Sequence, residues 1–428
     1  MTRTVLPRDV TATPTDVTTT PRDVTTTPRR KVLISGASIA GPALAYWLAR
    51  HGFAVTVVEK ASALRGGGYP IDVRGTALEV VRRMGILPQL REAHIDLRRL
   101  TFLGADGDEI ASIDPHTVTG GVAGHDIEVR RGDLTDALYA AVRDDVEFMF
   151  DDSIDTLDQS SGHGVDVTFR GGGSRTFDMV IGADGVHSRT REFLFGPEEQ
   201  FHRYLGYCFA GFTMRNTFGL FDELMMWNTP GRAAALYAVG GDDVHAFLNF
   251  AQPGPPYEAF RDPQAQRDLV TDAFADAGWE VPGMLAALHD ADDLFFDAVS
   301  QIRMPRWSSG RVALVGDAAY APSFLTGQGS SLALVGAYML AGSLAGRDHG
   351  AGFAAYEHST RGFVTANQDL VGKGDAALFP TTARALEQRN AMLRRLSAES
   401  APSPATAASS ASGRPAHSAL TLPEFPGS

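Results

Sequence analysis

A single cysteine, Cys208, occurs in 428 residues. One thiol excludes an internal disulfide framework, a redox cysteine pair and a cysteine-rich metal site. It sits in the apolar run Tyr204-Leu-Gly-Tyr-Cys-Phe-Ala, where a buried small residue is a simpler reading than a reactive thiol. Lysine is confined to Lys31, Lys60 and Lys373, against 38 lysines and arginines together. That is a preference between two bases and carries no binding signal. A formal charge of −13 argues against a nucleic-acid partner. No apolar segment opens the chain as a secretory signal would. The uncharged stretch Ala318–Gly346 is interrupted by Pro322, Thr326, Gln328 and several glycines and serines. Its apolar part, Leu332–Ala345, is shorter than the ~20 residues a spanning helix needs. A buried helix is expected there, in a cytoplasmic protein with no stable membrane association.

Length and ordinary composition allow two domains or one large two-lobed one. Residues 1–30 repeat Pro-Arg-Asp-Val-Thr-like units at Pro7, Pro14 and Pro21. A proline in every unit and no paired apolar positions exclude a coiled coil, and a disordered tail is expected. Residues 397–428, rich in Ala, Ser and Pro, are expected to be a second disordered tail.

Between the tails the pattern is α/β. Lys31–Ser35 reads as a buried strand, followed by Gly36-Ala-Ser38-Ile39-Ala40-Gly41, a helix, and a strand ending at Glu59. The glycines permit a tight turn, and the helix start offers N–H groups and a positive dipole end to a pyrophosphate. Glu59, 23 residues after Gly36, can accept from a ribose hydroxyl. Ser38 stands where the fingerprint has its second glycine. Two more buried strands end in acids: Asp178-Met-Val-Ile-Gly182-Ala-Asp184-Gly185, followed by Ser188 and Arg191, and Arg311-Val-Ala-Leu-Val-Gly316-Asp317-Ala-Ala-Tyr320. The latter leads through Gly327-Gln-Gly329 into a helix. Asp184 and Asp317 each have a plain reading as turn formers. The middle of the chain, at Tyr204–Arg215, Ala233–Val239 and Val244–Phe250, reads as antiparallel strands.

The three motifs in this order resemble the class A FAD-dependent aromatic hydroxylases and monooxygenases. Gly67-Gly-Tyr-Pro-Ile-Asp72-Val-Arg74 and Arg131-Gly-Asp133 look most like the tetracycline-inactivating flavin monooxygenases and related actinobacterial natural-product enzymes. The resemblance spans about Lys31 to Leu396. It implies a glutathione-reductase-like FAD-binding Rossmann domain (31–190 and 301–396, ending in C-terminal helices). An antiparallel-sheet substrate domain (191–300) is inserted, and a segment at about 72–100 lies on the substrate side.

The resemblance also assigns roles. Gly36, Ser38, Ile39, Ala40 and Gly41 meet the FAD pyrophosphate. Glu59, with Lys60 beside it, meets the adenosine ribose, and Arg131 packs near the flavin chain. Asp317 with Gly327 and Gly329 holds the ribityl region, and Asp184 belongs to a motif shared by FAD and NAD(P)H. Departures fall near the flavin ring: Tyr320 replaces a common His, Pro322 comes early, Ser331 replaces Asn and Gly336 replaces Asp.

The implied reaction uses FAD, NAD(P)H and O₂. A flavin C4a-hydroperoxide oxygenates an aromatic or polyketide-like molecule. The cofactor carries the chemistry, which accords with the lack of any triad, paired-acid signature or metal cluster. Asp72, Arg74, Phe212, Met214, Met226, Trp227, Tyr237, Phe247 and Phe324 are expected near the substrate. If the strand is regular, Phe212 and Met214 share a face and Phe209 points the other way. His187, His245 and Tyr320 are unranked as the base for a phenol. The oligomeric expectation is a monomer or homodimer. Two alternatives stay open: a flavin-dependent halogenase, and a flavin- or drug-binding protein without activity.

Overall fold

The computed structural model describes residues 29–64, 68–115, 126–238, 241–372, 378–399 and 415–426. The N-terminal proline repeat lies outside them.

The first lobe is built on a six-stranded sheet in the order β17 (Ser308–Ser309), β18 (Val312–Leu314), β11 (Met179–Gly182), β1 (Lys31–Ser35), β2 (Ala54–Glu59), β7 (Glu147–Phe150). All neighbours are parallel except β17 and β18. Both faces are covered, which explains why β1 reads as an unbroken apolar run. Val32 and Ile34 face the helices Ala40–Arg50 and Gly329–Leu344, while Leu33 faces a three-stranded sheet of β8 (Ile154–Asp158), β9 (Val165–Phe169) and β10 (Ser174–Phe177). Helix Gly329–Leu344 is buried along nearly all its length. Among the described residues no helix is long and apolar enough to cross a membrane.

The second lobe is a seven-stranded sheet in the order β16 (Phe295–Ile302), β12 (His202–Arg215), β15 (Asp243–Ala251), β14 (Arg232–Ala238), β13 (Glu223–Thr229), β4 (Arg99–Leu103), β5 (Glu109–Ile113). It thus recruits two strands from the first third of the chain, and β4 pairs with β13 in parallel. Helices Pro263–Ala273 and Val281–Asp290 pack on its outer face. Helix Ala383–Glu399 covers part of the inner face through Leu393. A two-stranded ribbon, β3 (Pro70–Val73) with β6 (Ile127–Arg130), bridges the lobes.

The tail expectation fails for residues 415–426. Leu422 is buried, the Tyr338 hydroxyl donates to the Pro423 carbonyl (2.6 Å), Thr76 donates to the Leu420 carbonyl (2.7 Å), and Arg83 pairs with Glu424 (2.7 Å). Three apolar residues, Leu420, Leu422 and Phe425, dock this segment, and the surrounding Ala/Ser/Pro composition masks them.

Candidate active site

The glycine turn is fixed by packing. Gly36 has φ +106° and donates to the Val58 carbonyl (2.8 Å), and a β-carbon on it would overlap the Ala183 carbonyl. A β-carbon on Gly41 would overlap the Gly36 carbonyl. The outer glycines are therefore required by the tight turn and the close helix–strand approach. Ser38, at the middle position, accepts a hydrogen bond from the Arg131 guanidinium (2.8 Å). Glu59 accepts from the Ala37 and Ala61 N–H groups (2.8 and 3.0 Å), so its carboxylate braces the turn. Lys60 beside it is exposed. The helix begun by Ile39 and Ala40 has no side-chain cap and no acid in its first turn, which leaves its N-terminus suited to an anion.

The other two motifs converge on this turn. A β-carbon on Gly316 (φ +64°) would come within 2.9 Å of the Ala40 β-carbon. This seats Asp317 beside the helix start. Burial raises the Asp317 pKa, and nearby Arg131 opposes the rise. Asp184 accepts from the Ser188 hydroxyl (2.5 Å) and from the N–H and hydroxyl of Thr190 (3.0 and 2.9 Å). Ser188 is the N-cap of the helix Arg189–Phe195, accepting from the Arg191 N–H (3.0 Å), and Asp184 braces that cap and the first turn. Fully buried Arg191 donates to the Ala318 carbonyl (3.1 Å) and pairs with Glu198 (2.6 Å), tying the second and third motifs together.

The loop before helix Gly329–Leu344 has a donor and acceptor set of its own. Ser323 has φ +76°, a strained value for a non-glycine residue. Its hydroxyl and the Oε1 of Gln328 are buried without a hydrogen-bond partner among the described residues. Gly327 (φ +62°) lies against Asp72, where a β-carbon would come within 3.0 Å of Oδ2. Ser330 donates to the Asp72 carbonyl, and Ser331 accepts from the Arg74 N–H (3.0 Å). An uncapped helix start, an arginine, a buried carboxylate and orphaned polar groups along one line fit FAD.

The ribbon and the inner sheet face form the other half of the site. Asp72 and Glu128 are cross-strand partners, so their side chains share a face. Arg74 pairs with Asp72 (2.7 Å), and the Tyr237 hydroxyl donates to Glu128 Oε1 (2.9 Å). Phe209 packs on Phe324 (centroids 4.9 Å) and Phe247 (5.6 Å), with Tyr69 at 5.9 Å from Phe295. Phe295 and Phe324 remain 38 % and 41 % exposed. They mark an aromatic opening.

Residues 29–369 match the family described as FAD binding domain. A flavin-dependent monooxygenase from an unknown prokaryotic organism is 38 % identical over 369 residues, which is 84 % of this chain and 94 % of that protein. A flavin-dependent monooxygenase of Legionella longbeachae is 35 % identical, over 79 % of this chain and 87 % of its own. The crystal structure of tetracycline destructase Tet(55) superposes with a TM-score of 0.77 at 34 % identity, covering 93 % of this chain and 99 % of the destructase.

The chain belongs to the FAD-dependent monooxygenases.

The monooxygenase has the glutathione-reductase-like fold, and its cofactor is FAD. Its structure corrects two readings of the sequence, the substrate-side placing of Phe212, Met214 and Trp227 and the candidacy of His187 and Tyr320 as bases. Phe212 and Trp227, with Met214 beside them, pack on the outer sheet face under the two helices, against residues such as Val270 and Met284. Tyr207 and Phe209 point inward instead, because side chains alternate along β12. Met226 and Phe247 do lie on the inner face, and Tyr237 reaches Glu128 from the same sheet. As bases, His187 and Tyr320 are misplaced. His187 is held between Glu198 (2.8 Å) and Asp297 (3.2 Å). Burial opposes its charge, but the hydrogen bonds to Asp297 and Glu198 raise its pKa to about 10, so it already holds its proton at neutral pH. Tyr320 points into the core of the first lobe. It accepts from Tyr356 (2.9 Å) and packs on Trp307 (4.7 Å), and burial pushes its pKa up to about 12. Cys208 is fully buried, and burial likewise pushes its thiol to about 12, so it is inert.

Sequence reasoning missed Glu128 and Tyr69. The alternation Ile127-Glu-Val-Arg130 just before Arg131 was the available signal for a strand with one polar face. Nothing in the sequence pairs it with Tyr237.

Proposed function

We propose that the monooxygenase uses NAD(P)H and O₂ to oxygenate an aromatic or polyketide-like polycyclic molecule. The observation that carries this reading is the pairing of a polar ribbon, bearing Asp72, Arg74 and Glu128, with the aromatic inner face of the sheet. Aromatic walls suit a planar substrate, and a few placed polar groups orient it. Tetracycline destructase acts, as its name says, on tetracycline, and a polycyclic phenol of that kind suits the same walls.

When bound, FAD takes electrons from NAD(P)H and activates oxygen; the protein's part is to hold, orient and keep dry. The turn Gly36–Gly41 and Arg131 meet the pyrophosphate, and Asp317 with Gly327 and Gly329 meets the ribityl side. Ser323 and Gln328 offer their orphaned polar atoms to the ring. Glu59 serves the adenosine ribose, with Lys60 alongside, and Asp184 acts indirectly by shaping the helix start. Phe247, Phe324 and Met226 lie against the substrate. A monomer or homodimer working in the cytoplasm completes the proposal.

The test is the visible spectrum of the purified protein, followed by NAD(P)H oxidation and O₂ uptake with a panel of polycyclic phenols that includes tetracycline. Bound flavin and substrate-stimulated oxidation are expected. A protein that holds FAD but shows no stimulation with any of the panel overturns the substrate assignment.

A further inference from the structure

Glu128 stands at the inner end of the aromatic opening, and no role in holding FAD accounts for it. Its carboxylate shares a ribbon face with Asp72 and receives one hydrogen bond, from Tyr237. Tyr237 lies opposite His245 on the next strand, and His245 is 6.5 Å from Phe247, centroid to centroid. The line of side chains therefore runs from the exposed Phe295 and Phe324 past Phe209 and Phe247 to the Tyr237–Glu128 pair.

We propose that Glu128 accepts the proton of an acidic hydroxyl on the substrate, with Tyr237 as the group that passes it. The substrate hydroxyl gives its proton to the Tyr237 oxygen as Tyr237 releases its own to Glu128 Oε1. Two protons move together, for a net transfer of one from the substrate to Glu128, leaving a substrate phenolate or enolate and a neutral carboxylic acid. No electron is transferred in this step. The anion is the more electron-rich form, the one that an electrophilic oxygen donor attacks. The assignment rests on the substrate class proposed above and narrows it to molecules with an ionisable ring hydroxyl.

The surroundings favour Glu128 over its neighbours. Asp72 forms the ion pair with Arg74, whereas Glu128 bonds the neutral Tyr237 and feels the Arg74 charge without bonding it. Burial, then the Asp72 charge, lifts the Glu128 pKa to about 7, where a general base is most effective near neutral pH. His245 is a weaker base, because burial and then Arg130 lower its pKa. The other charged groups are Asp126 and His417 near Asp72, and Asp222 near Tyr237. The His94 ring bonds only the Glu128 backbone.

The test uses the full-length FAD-loaded protein and 1,8-dihydroxyanthraquinone, whose visible absorption shifts when a phenol ionises. After a jump to alkaline pH the dye bound to the wild type is expected to ionise about a hundredfold faster than the dye bound to Glu128→Gln, the lower end of what a positioned base contributes. Glu128→Gln keeps an acceptor for Tyr237 but cannot take up a proton. FAD content and binding of the neutral dye should persist in it, and Glu128→Asp should restore part of the rate. An unchanged rate in Glu128→Gln overturns the proposal. So does loss of FAD in both Glu128→Gln and Tyr237→Phe, which would make the pair a strut between the lobes. Where Glu128→Gln does not fold, Tyr237→Phe decides: a retained rate overturns the relay. A wild type that holds FAD but binds no dye refutes the substrate class itself, a result distinct from an unchanged rate.

Discussion

The Tyr320 hydroxyl occupies the place where a β-carbon on residue 336 would stand, and residue 336 is glycine. Two departures from the family pattern, Tyr320 for His and Gly336 for Asp, are thus one structural change. The larger ring fills the space that the missing side chain vacates.

Gly336→Ala should therefore destabilise the protein. Ala is the better helix former by about 1 kcal/mol, yet overpacking a buried contact costs about 1–3 kcal/mol. In a Tyr320→Phe background the hydroxyl is gone and the same substitution should cost less. Urea denaturation of the two single variants and the double variant measures the coupling, expected at about 1 kcal/mol or more. Additive effects would separate the two positions.

Ser38 holds Arg131 at the Gly36–Gly41 turn. Ser38→Gly would restore the usual fingerprint, but it removes the acceptor for a charged donor. Such bonds contribute about 1.5–3 kcal/mol, so FAD affinity should fall about tenfold rather than rise. Titration of apoprotein by flavin fluorescence checks this, and tighter binding in the glycine variant would contradict it.

Asp317 is an acid whose folded pKa is raised by burial. Its charge therefore works against folding once the unfolded chain ionises, and the cost grows as pH rises through the carboxylate range. Asp317→Asn should stabilise the apoprotein at pH 7, with the gain shrinking toward pH 4. The same variant, and Asp317→Ala more so, should lower FAD occupancy. Melting temperatures at the two pH values, with flavin content, test both halves.

The segment 415–426 buries Leu422 and sets Phe425 where a β-carbon on Gly342 would overlap its ring. Leu422→Ala should cost about 2–3 kcal/mol. The His417 carbonyl packs against Gly75, next to Arg74, so truncation after residue 414 should also weaken FAD retention. Calorimetry and flavin content of the truncated chain measure this. A truncation without effect on either would show the docking to be idle.

Much of the cofactor half was legible in the sequence. Gly36, Gly41 and Glu59 lie close together along the chain, and the buried strands before Asp184 and Asp317 are unbroken apolar runs. The substrate half was not. Phe209 and Phe212 are equally apolar, and only the helices on the outer face decide which one is interior. The 415–426 segment was hidden in the same way, since its three docking residues mean nothing without the groove they fill.

By itself the sequence determined the α/β class, the tight glycine turn and the lack of an internal disulfide, because these follow from local periodicity, glycine geometry and a single cysteine. The tertiary structure alone decided that Ser38 serves Arg131, that Tyr320 fills the hollow at Gly336, and that Glu128 meets Tyr237. The reason is that each of the last two is set by side chains aimed across packed elements, and the first joins groups 93 residues apart. No local pattern encodes where such partners meet.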